Sequence, residues 1–406
     1  MVYKQLDIAI DDFDYNLPQE RIASFPLKKR DEAKLLVLDK DRIYDIPFYE
    51  FPNEINKDSL LIFNDTKVIF ARLFFNKPSG AQIEIFCLEP FEIKDIQIAF
   101  AQRKSVLWKC FIGNNRKWKE GQLVKTAQYK GETISLKAEK VKPEEDSWIV
   151  RFSWNGNHPF CEILSIMGII PLPPYLNRKA ESEDNIDYQT IYANLEGSVA
   201  APTAGLHFTK KTFSDLKQRG IKTDFITLHV GAGTFKPVTT QSIKDHSMHA
   251  EQILITKSVI EDLISYIDKN IICIGTTSVR SIESLYWYGV SILENKDIPL
   301  DIDILQWQPY QKECSIPAKD ALNAILERMN RGNINYISGK TQIIIAPSYT
   351  FRIVSGLVTN FHQPKSTLLL LVSALIGDKW KDCYNYALEN KFRFLSFGDA
   401  CYFTKG

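Results

Sequence analysis

The sequence predicts a mixed α/β main domain interrupted by a small inserted β-barrel. Three observations carry this. From Leu60 to Trp154, short β-rich runs recur between turn signals such as Pro78-Ser79-Gly80 and Gly113-Asn114-Asn115, the spacing of a small barrel or sandwich. After Pro159, apolar strands alternate with amphipathic helices. Charge is also segregated. Between Ala101 and Lys142 stand eleven Lys or Arg and three Glu, on a chain of net charge +1. The boundaries that follow are 1–64 and 155–406 for the α/β body and 65–154 for the basic barrel.

Gln19–Ser24 reads as a short helical stretch and Lys34–Asp39 as a strand. The barrel runs are Leu60–Asn64, Val68–Phe75, Gln82–Leu88, Ile96–Ala101, Val106–Phe111, Leu123–Tyr129, Thr133–Ala138 and Ser147–Phe152. Pro171-Leu172-Pro173-Pro174 must be extended, because proline is excluded from helix interiors. Lys210–Arg219 is a helix stopped by Gly220, and Asp224–Val230 is a strand. Ser258–Asp268 carries Val259, Ile260, Leu263, Ile264 and Ile267 on one helical face. Ile271–Ile274 is a buried strand feeding a helix to about Tyr286. Asp320–Met329 is a helix with Gly332 as its stop. Ile343–Ala346 and Arg352–Thr359 read as strands, Ser366–Ile376 as a central helix apolar all round, Trp380–Glu389 as the last helix and Arg393–Phe397 as the last strand.

Composition narrows the function. Hydrophobic residues make up 45% and charged residues 24% of 406 residues, which is ordinary globular composition. The longest apolar run, near Leu368–Ile376, is too short to span a membrane, and Met1–Asp14 lacks the pattern of a signal or transit peptide. Seven cysteines without a C-x-x-C pair argue against a disulfide framework or a cysteine zinc site. A reducing cytoplasm is expected. The basic stretch fits a module that meets phosphate, or a solvated lysine-rich barrel face.

Polar residues gather where strands end, the place where open α/β sheets bind ligands. Gly231-Ala232-Gly233-Thr234 follows one strand, with His229 two residues before the first glycine. It allows close backbone approach to a ligand, or is simply a tight turn. Gly275-Thr276-Thr277-Ser278-Val279-Arg280 places hydroxyls and a cation at a helix start, suited to an anion or to ordinary capping. Thr359-Asn360-Phe361-His362-Gln363-Pro364-Lys365 has the same form, with His362 and Lys365 beside a helix N-terminus. His207 follows the small residues Ala200-Ala201-Pro202-Thr203-Ala204-Gly205, which would line a slot for a flat base or a helix-packing loop. Asp65 and Asp399 are carboxylates at a domain junction and a strand end. His246 and His249 with Glu251 invite a metal reading. It is set aside, because a lone H-x-x-H lacks a third ligand and an embedded glutamate. Gly339-Lys340-Thr341 imitates the end of a P-loop, but Ile334 stands where its first glycine belongs.

Together, these strings resemble one family. Gly197–Phe208, Leu228–Phe235, Met248-His249-Ala250-Glu251, Gly275–Arg280 and Thr359-Asn360-Phe361-His362 match it, as do Leu17-Pro18, Arg30-Asp31, Asn64-Asp65-Thr66 and Pro171–Tyr175. The chain, from about Asp14 to Phe403, resembles the S-adenosylmethionine:tRNA ribosyltransferase-isomerases of queuosine biosynthesis. The resemblance implies that S-adenosylmethionine serves as ribosyl donor and that the acceptor is the 7-aminomethyl-7-deazaguanine base at the tRNA wobble position. Epoxyqueuosine-tRNA, adenine and methionine would be the products. It implies no metal and no membrane.

Such chemistry needs a base near the ribosyl carbon beside the sulfonium, and help for the departing adenine. His207 and His229 are therefore expected as acid–base groups. Arg280 and Lys365 are expected to hold the methionine carboxylate or a tRNA phosphate, and Asp65 and Asp399 to contact ribose or the acceptor amine. Thr203, Gly231, Gly233, Thr234, Thr277 and His362 complete the expected site. The sequence departs from the family pattern in two places. Ala346-Pro347-Ser348-Tyr349 stands where Pro-Gly-Tyr is expected, and Phe397-Gly398-Asp399-Ala400-Cys401 where Tyr-Gly-Asp-Ala-Met is expected.

Overall fold

A computed structural model describes residues 6–93, 95–231, 240–295 and 297–405. Ten strands form one mixed sheet, in the spatial order Ile302–Ile304, Tyr336–Thr341, Glu251–Thr256, Lys222–His229, Ser59–Asn64, Asn270–Ile274, Gly356–Asn360, Ala400–Thr404, Lys34–Asp39 and Arg42–Pro47. The four central strands, from Lys222–His229 to Gly356–Asn360, run parallel. Their carboxyl ends therefore open on the same edge.

The central strands are apolar on both faces because both are covered, as parallel sheets require. Side chains alternate across the pleat. Leu60, Ile62, Ile271, Cys273 and Leu357 join a large core with the helices Lys257–Tyr266, Thr276–Glu294 and Ala318–Gly332. Leu61, Phe63, Ile272, Ile274 and Val358 face the opposite core, with Phe48, Phe51, Phe208 and Leu216. Ser59–Asn64 is buried at all six positions.

The second sheet has six antiparallel strands, in the order Arg72–Asn76, Gln82–Pro90, Ser105–Gly113, Ser147–Trp154, Glu132–Glu144 and Leu123–Tyr129. Its two edge strands approach each other within 8 Å between Cα atoms, so the sheet curls into a nearly closed barrel. Trp108, Trp118 and Phe152 fill it. Phe160, Ile163, Leu164 and Met167, on the helix Phe160–Met167, share its core.

Some expected elements differ. Ile96–Ala101 is not a strand. Residues Ile96–Phe100 form a helix because the Asp95 carboxylate caps it, accepting from the N–H groups of Gln97 and Ile98. Gln19–Arg21 is only a 3-10 turn. The helix after Gly275 runs on to Glu294. Asn333 in a left-handed conformation, not Gly332, stops Ala318–Gly332. Ile343–Ala346 is buried but joins no ladder, and Tyr336–Thr341 pairs with Glu251–Thr256 instead. Arg393–Phe397 is not a strand either. The last strand is Ala400–Thr404, entered after Asp399 accepts the N–H groups of Lys34 and Arg393.

One carboxylate ties the long helix to the loop before Gly356–Asn360. Glu283 is fully buried. It accepts from the Tyr349 hydroxyl at 2.7 Å and from the N–H groups of Arg352, Ile353 and Val354. Burial pushes its pKa up, and these donors oppose the shift.

The same loop contains the first departure from the family pattern. Ala346 C=O accepts Tyr349 N–H at 2.9 Å, with Pro347 and Ser348 between them. Ser348 has φ 81°. Proline second and a positive φ third are the marks of a type II turn, whose third position favours glycine. A side chain in this region costs roughly 1–2 kcal/mol, more than the roughly 0.4–1 kcal/mol by which glycine loosens the unfolded chain. Ser348→Gly is therefore expected to stabilise the fold by about 0.5–1 kcal/mol, read as a higher urea midpoint at unchanged m-value. A midpoint that stays put or falls would show that the turn carries no such strain.

Candidate functional site

The carboxyl ends of the central strands open into a cleft with a cavity volume of about 160 Å³. Val230 and Gly231 enter it from the end of Lys222–His229, Gly275-Thr276-Thr277 from the end of Asn270–Ile274, and Thr359-Asn360-Phe361-His362 from the end of Gly356–Asn360. Ala200–Ala204, the loop after Leu195–Ser198, adds a wall of small residues. This is the crevice outside strand ends where α/β proteins hold ligands.

One wall is charged. Arg280, on the second turn of Thr276–Glu294, lies 4% exposed and donates from Nε to Ile343 C=O at 3.0 Å. Its Nη1 pairs with Glu251 Oε2. Glu251, 3% exposed, opens the strand Glu251–Thr256. His246, Met248 and His249 line the cleft just before it. Two glutamines hold this run in place. Gln306 donates to His246 C=O at 2.7 Å and accepts from Met248 N–H at 2.9 Å, while Gln342 donates to Met248 C=O at 3.1 Å. Burial lowers the His246 pKa, and His249 nearby adds to the shift.

The other wall is aromatic and hydroxylic. Thr203 donates to Asn360 Oδ1 at 2.8 Å. Tyr175 bonds Ser396 through its hydroxyl, and Tyr188 stands beside them in the lining. His362 Nε2 lies 2.9 Å from Thr359 Oγ1, and its N–H donates to Tyr384. Burial pushes the His362 pKa down to about 3, so its ring is neutral at working pH.

Of the expected site residues, Thr203, Gly231, Thr277, Arg280 and His362 line the cleft. Gly233 and Thr234 lie outside the described residues. His207 sits one layer behind: its ring is 3.3 Å from Asn360 Nδ2 and packs on Phe48, and burial lowers its pKa to about 4. His229 turns beneath the sheet edge, with Nδ1 2.8 Å from Thr66 Oγ1. A Cβ on Gly197 would meet this ring at 2.5 Å, so only glycine gives it room. Burial lowers its pKa to about 4 as well.

The carboxylates and Lys365 have other partners. Asp65 accepts from Thr227 at 2.6 Å and Asn194 at 3.3 Å, outside the cleft lining, and burial raises its pKa. Asp399 is engaged by Lys34 and Arg393. Lys365 Nζ lies 2.8 Å from Asp11 and 3.1 Å from Asp14, in partly exposed ion pairs outside the cleft lining. His246, His249 and Glu251 are cleft residues that the sequence presents only as an incomplete metal motif. Their signal was the Met248–Glu251 string. Tyr175 entered only as the end of the Pro171–Tyr175 string, and Tyr188 and Ser396 carried no local signal.

A strand-end cleft with imidazoles, an arginine and a glutamate on a mixed sheet defines the class as an α/β enzyme with a small-molecule site. The particular family follows from comparison. The queuosine biosynthesis protein family matches residues 10–403, and the chain belongs to it. It is 36% identical over 401 residues to the S-adenosylmethionine:tRNA ribosyltransferase-isomerase of Halothermothrix orenii, covering 97% of this chain and 99% of that one. It is also 36% identical over 402 residues to the enzyme of that name from Finegoldia magna, covering 98% of each. The crystal structure of the S-adenosylmethionine tRNA ribosyltransferase from Thermotoga maritima is 26% identical, covers 96% of this chain and 99% of that one, and gives a TM-score of 0.46.

The buried imidazoles make stability depend on pH. His207 and His362 are pushed well below the usual 6.5. The unfolded chain therefore takes up these protons first. The stability tied to the neutral rings is complete above about pH 6.5 and is lost as the pH falls toward about 4, at up to roughly 1.4 kcal/mol per pH unit for each ring. Urea unfolding from pH 7 to pH 4.5 is expected to show this slope, and His362→Gln to reduce it by one proton. An unchanged slope in that variant would mean that His362 titrates normally.

Proposed function

We propose that this chain transfers and isomerises the ribosyl group of S-adenosylmethionine onto the 7-aminomethyl-7-deazaguanine base at the tRNA wobble position. The products are epoxyqueuosine-tRNA, adenine and methionine. One observation carries the reading: parts of all five main strings that resemble the family, scattered from Ala200 to His362, line the same cleft. Relatives at 36% identity, matched over nearly their whole length, bear the name of this activity.

The cleft suits the chemistry. The flat wall Ala200–Ala204 with Tyr175 and Tyr188 offers apolar surface for adenine. His246 and His249, on a loop clamped by Gln306 and Gln342, are the cleft imidazoles proposed to take a proton from the ribosyl carbon beside the sulfonium, or to return one to the leaving base. His207 and His229 support the site from behind: the first orients Asn360, and the second bonds Thr66 beneath the strand edge. No helix among the described residues is long and apolar enough to cross a membrane, and the cytoplasm is the proposed site of action.

The barrel offers a place for the RNA. Lys77, Arg116, Lys117 and Lys119 surround a hollow at one end of it. Among the described residues none of these four forms an ion pair with an acidic side chain; Lys77 Nζ donates to Lys117 C=O at 2.9 Å and Glu120 shares the lining, so Arg116, Lys117 and Lys119 are the cations proposed to meet phosphate.

Purified protein with S-adenosylmethionine and tRNA bearing the aminomethyl-deazaguanine base is expected to release adenine and methionine stoichiometrically, with the ribosyl mass added to the nucleoside. Tight tRNA binding without adenine release would replace this reading with that of a tRNA-binding protein. His249→Ala is expected to lower the rate of adenine release about 10²- to 10⁴-fold; full turnover would remove His249 from the chemistry. Replacing Arg116, Lys117 and Lys119 together by alanine is expected to raise the KM for tRNA and flatten its salt dependence, by about 0.7–0.9 in log–log slope for each phosphate that is no longer neutralised. A KM and slope equal to those of the unmodified protein would place the RNA elsewhere.

A further inference from the structure

Two atoms on the charged wall have no hydrogen-bond partner although both are buried: Arg280 Nη2 and Glu251 Oε1. They belong to side chains already in contact through Arg280 Nη1 and Glu251 Oε2. A purely structural buried pair is expected to satisfy its remaining atoms. This pair is joined at one point instead, which leaves a donor and an acceptor side by side. An unsatisfied buried group costs roughly 1–3 kcal/mol, so a group that completes both has a strong claim to the position.

The helix carrying Arg280 adds to the argument. Thr276–Glu294 is 19 residues long and its start has no side-chain cap. Thr276 and Thr277 line the cleft at that start, one turn from Arg280. Free N–H groups and the positive end of the helix dipole favour an anion there, and Arg280 lines the same cleft. Glu251 Oε1 offers the complementary acceptor for a cation. Positive and negative groups carried on one carbon are the signature of an α-amino acid.

We infer that Arg280 and Glu251 together bind the amino-acid end of the donor: the α-carboxylate lies between the helix start and Arg280 Nη2, and the α-ammonium against Glu251 Oε1. This rests on the reading of the cleft as the S-adenosylmethionine site. It makes Glu251, which the sequence offered only within a metal reading that was set aside, a substrate-binding group. It also orients the donor, with methionine toward the strand Glu251–Thr256 and adenine toward Ala200–Ala204. The strands Glu251–Thr256 and Gly356–Asn360 lie four strand spacings apart, about 19 Å, so the edge is wide enough for an extended nucleoside–amino acid conjugate.

The test is equilibrium binding to the intact protein of three ligands: S-adenosylmethionine, its decarboxylated analogue and its analogue with hydrogen in place of the α-ammonium. Each analogue is expected to bind roughly 10- to 100-fold more weakly, the range for a lost charged hydrogen bond. Arg280→Met is expected to erase discrimination against the decarboxylated analogue and to keep it against the deaminated one; Glu251→Gln is expected to do the reverse. The wild-type series needs no substitution, so misfolding of a variant leaves it decisive. Equal binding of all three by the wild-type protein overturns the inference while leaving the site reading intact. So does a folded variant that loses affinity for all three in equal measure, because that is the behaviour of a structural pair. Failure to bind any of the three removes the site reading and the inference with it.

Discussion

The helix Thr276–Glu294 and its buried carboxylate Glu283 hold the functional edge together. Fifteen of its nineteen residues are buried, an unusual load for a helix with two charged groups in its interior turns. Each charge is tied to a different part of the cleft. Arg280 reaches sideways to Glu251 and Ile343. Glu283 reaches forward to the loop before Gly356–Asn360, the strand that leads into Asn360 and His362. Removing Glu283 would leave three N–H groups and a tyrosine hydroxyl without their acceptor at once. The helix therefore fixes the spacing between the charged wall and the hydroxylic wall.

The stretch Trp287–Lys340 takes part in this arrangement. Its strands Ile302–Ile304 and Tyr336–Thr341 extend the sheet beyond Glu251–Thr256. Gln306, which follows the first of them, clamps His246 and Met248 through their backbones. Sheet extension and the shape of the cleft are thus one feature. The histidine loop is built on a neighbouring strand and is held by backbone hydrogen bonds, which leaves its imidazoles free to face the cleft.

Much of this was legible in the sequence, for identifiable reasons. The strands at Leu60–Asn64 and Ile271–Ile274 are legible as apolar runs, because both sheet faces are covered, but the first reads with the barrel runs and pairs instead at the centre of the large sheet. The strand-end strings pointed to the cleft because ligand sites collect where parallel strands stop. Long-range polar pairing was not legible. Lys365 pairs with Asp11 and Asp14, more than 350 positions earlier in the chain, and no local string announces that contact. Asp399 looked like a free acid and serves as a backbone clip. Ile96–Phe100 has the apolar density of a strand, and one capping aspartate decides that it is a helix. Tyr175 and Ser396 meet only in the folded chain, and no window of sequence contains both.

The neutrality of the buried imidazoles has a consequence for turnover. His362 and His207 cannot store a proton at working pH, because each ring is held far below its usual basicity. The interior therefore behaves as a poor reservoir and a good insulator. The two rings bring hydrogen bonds to the site without bringing charge.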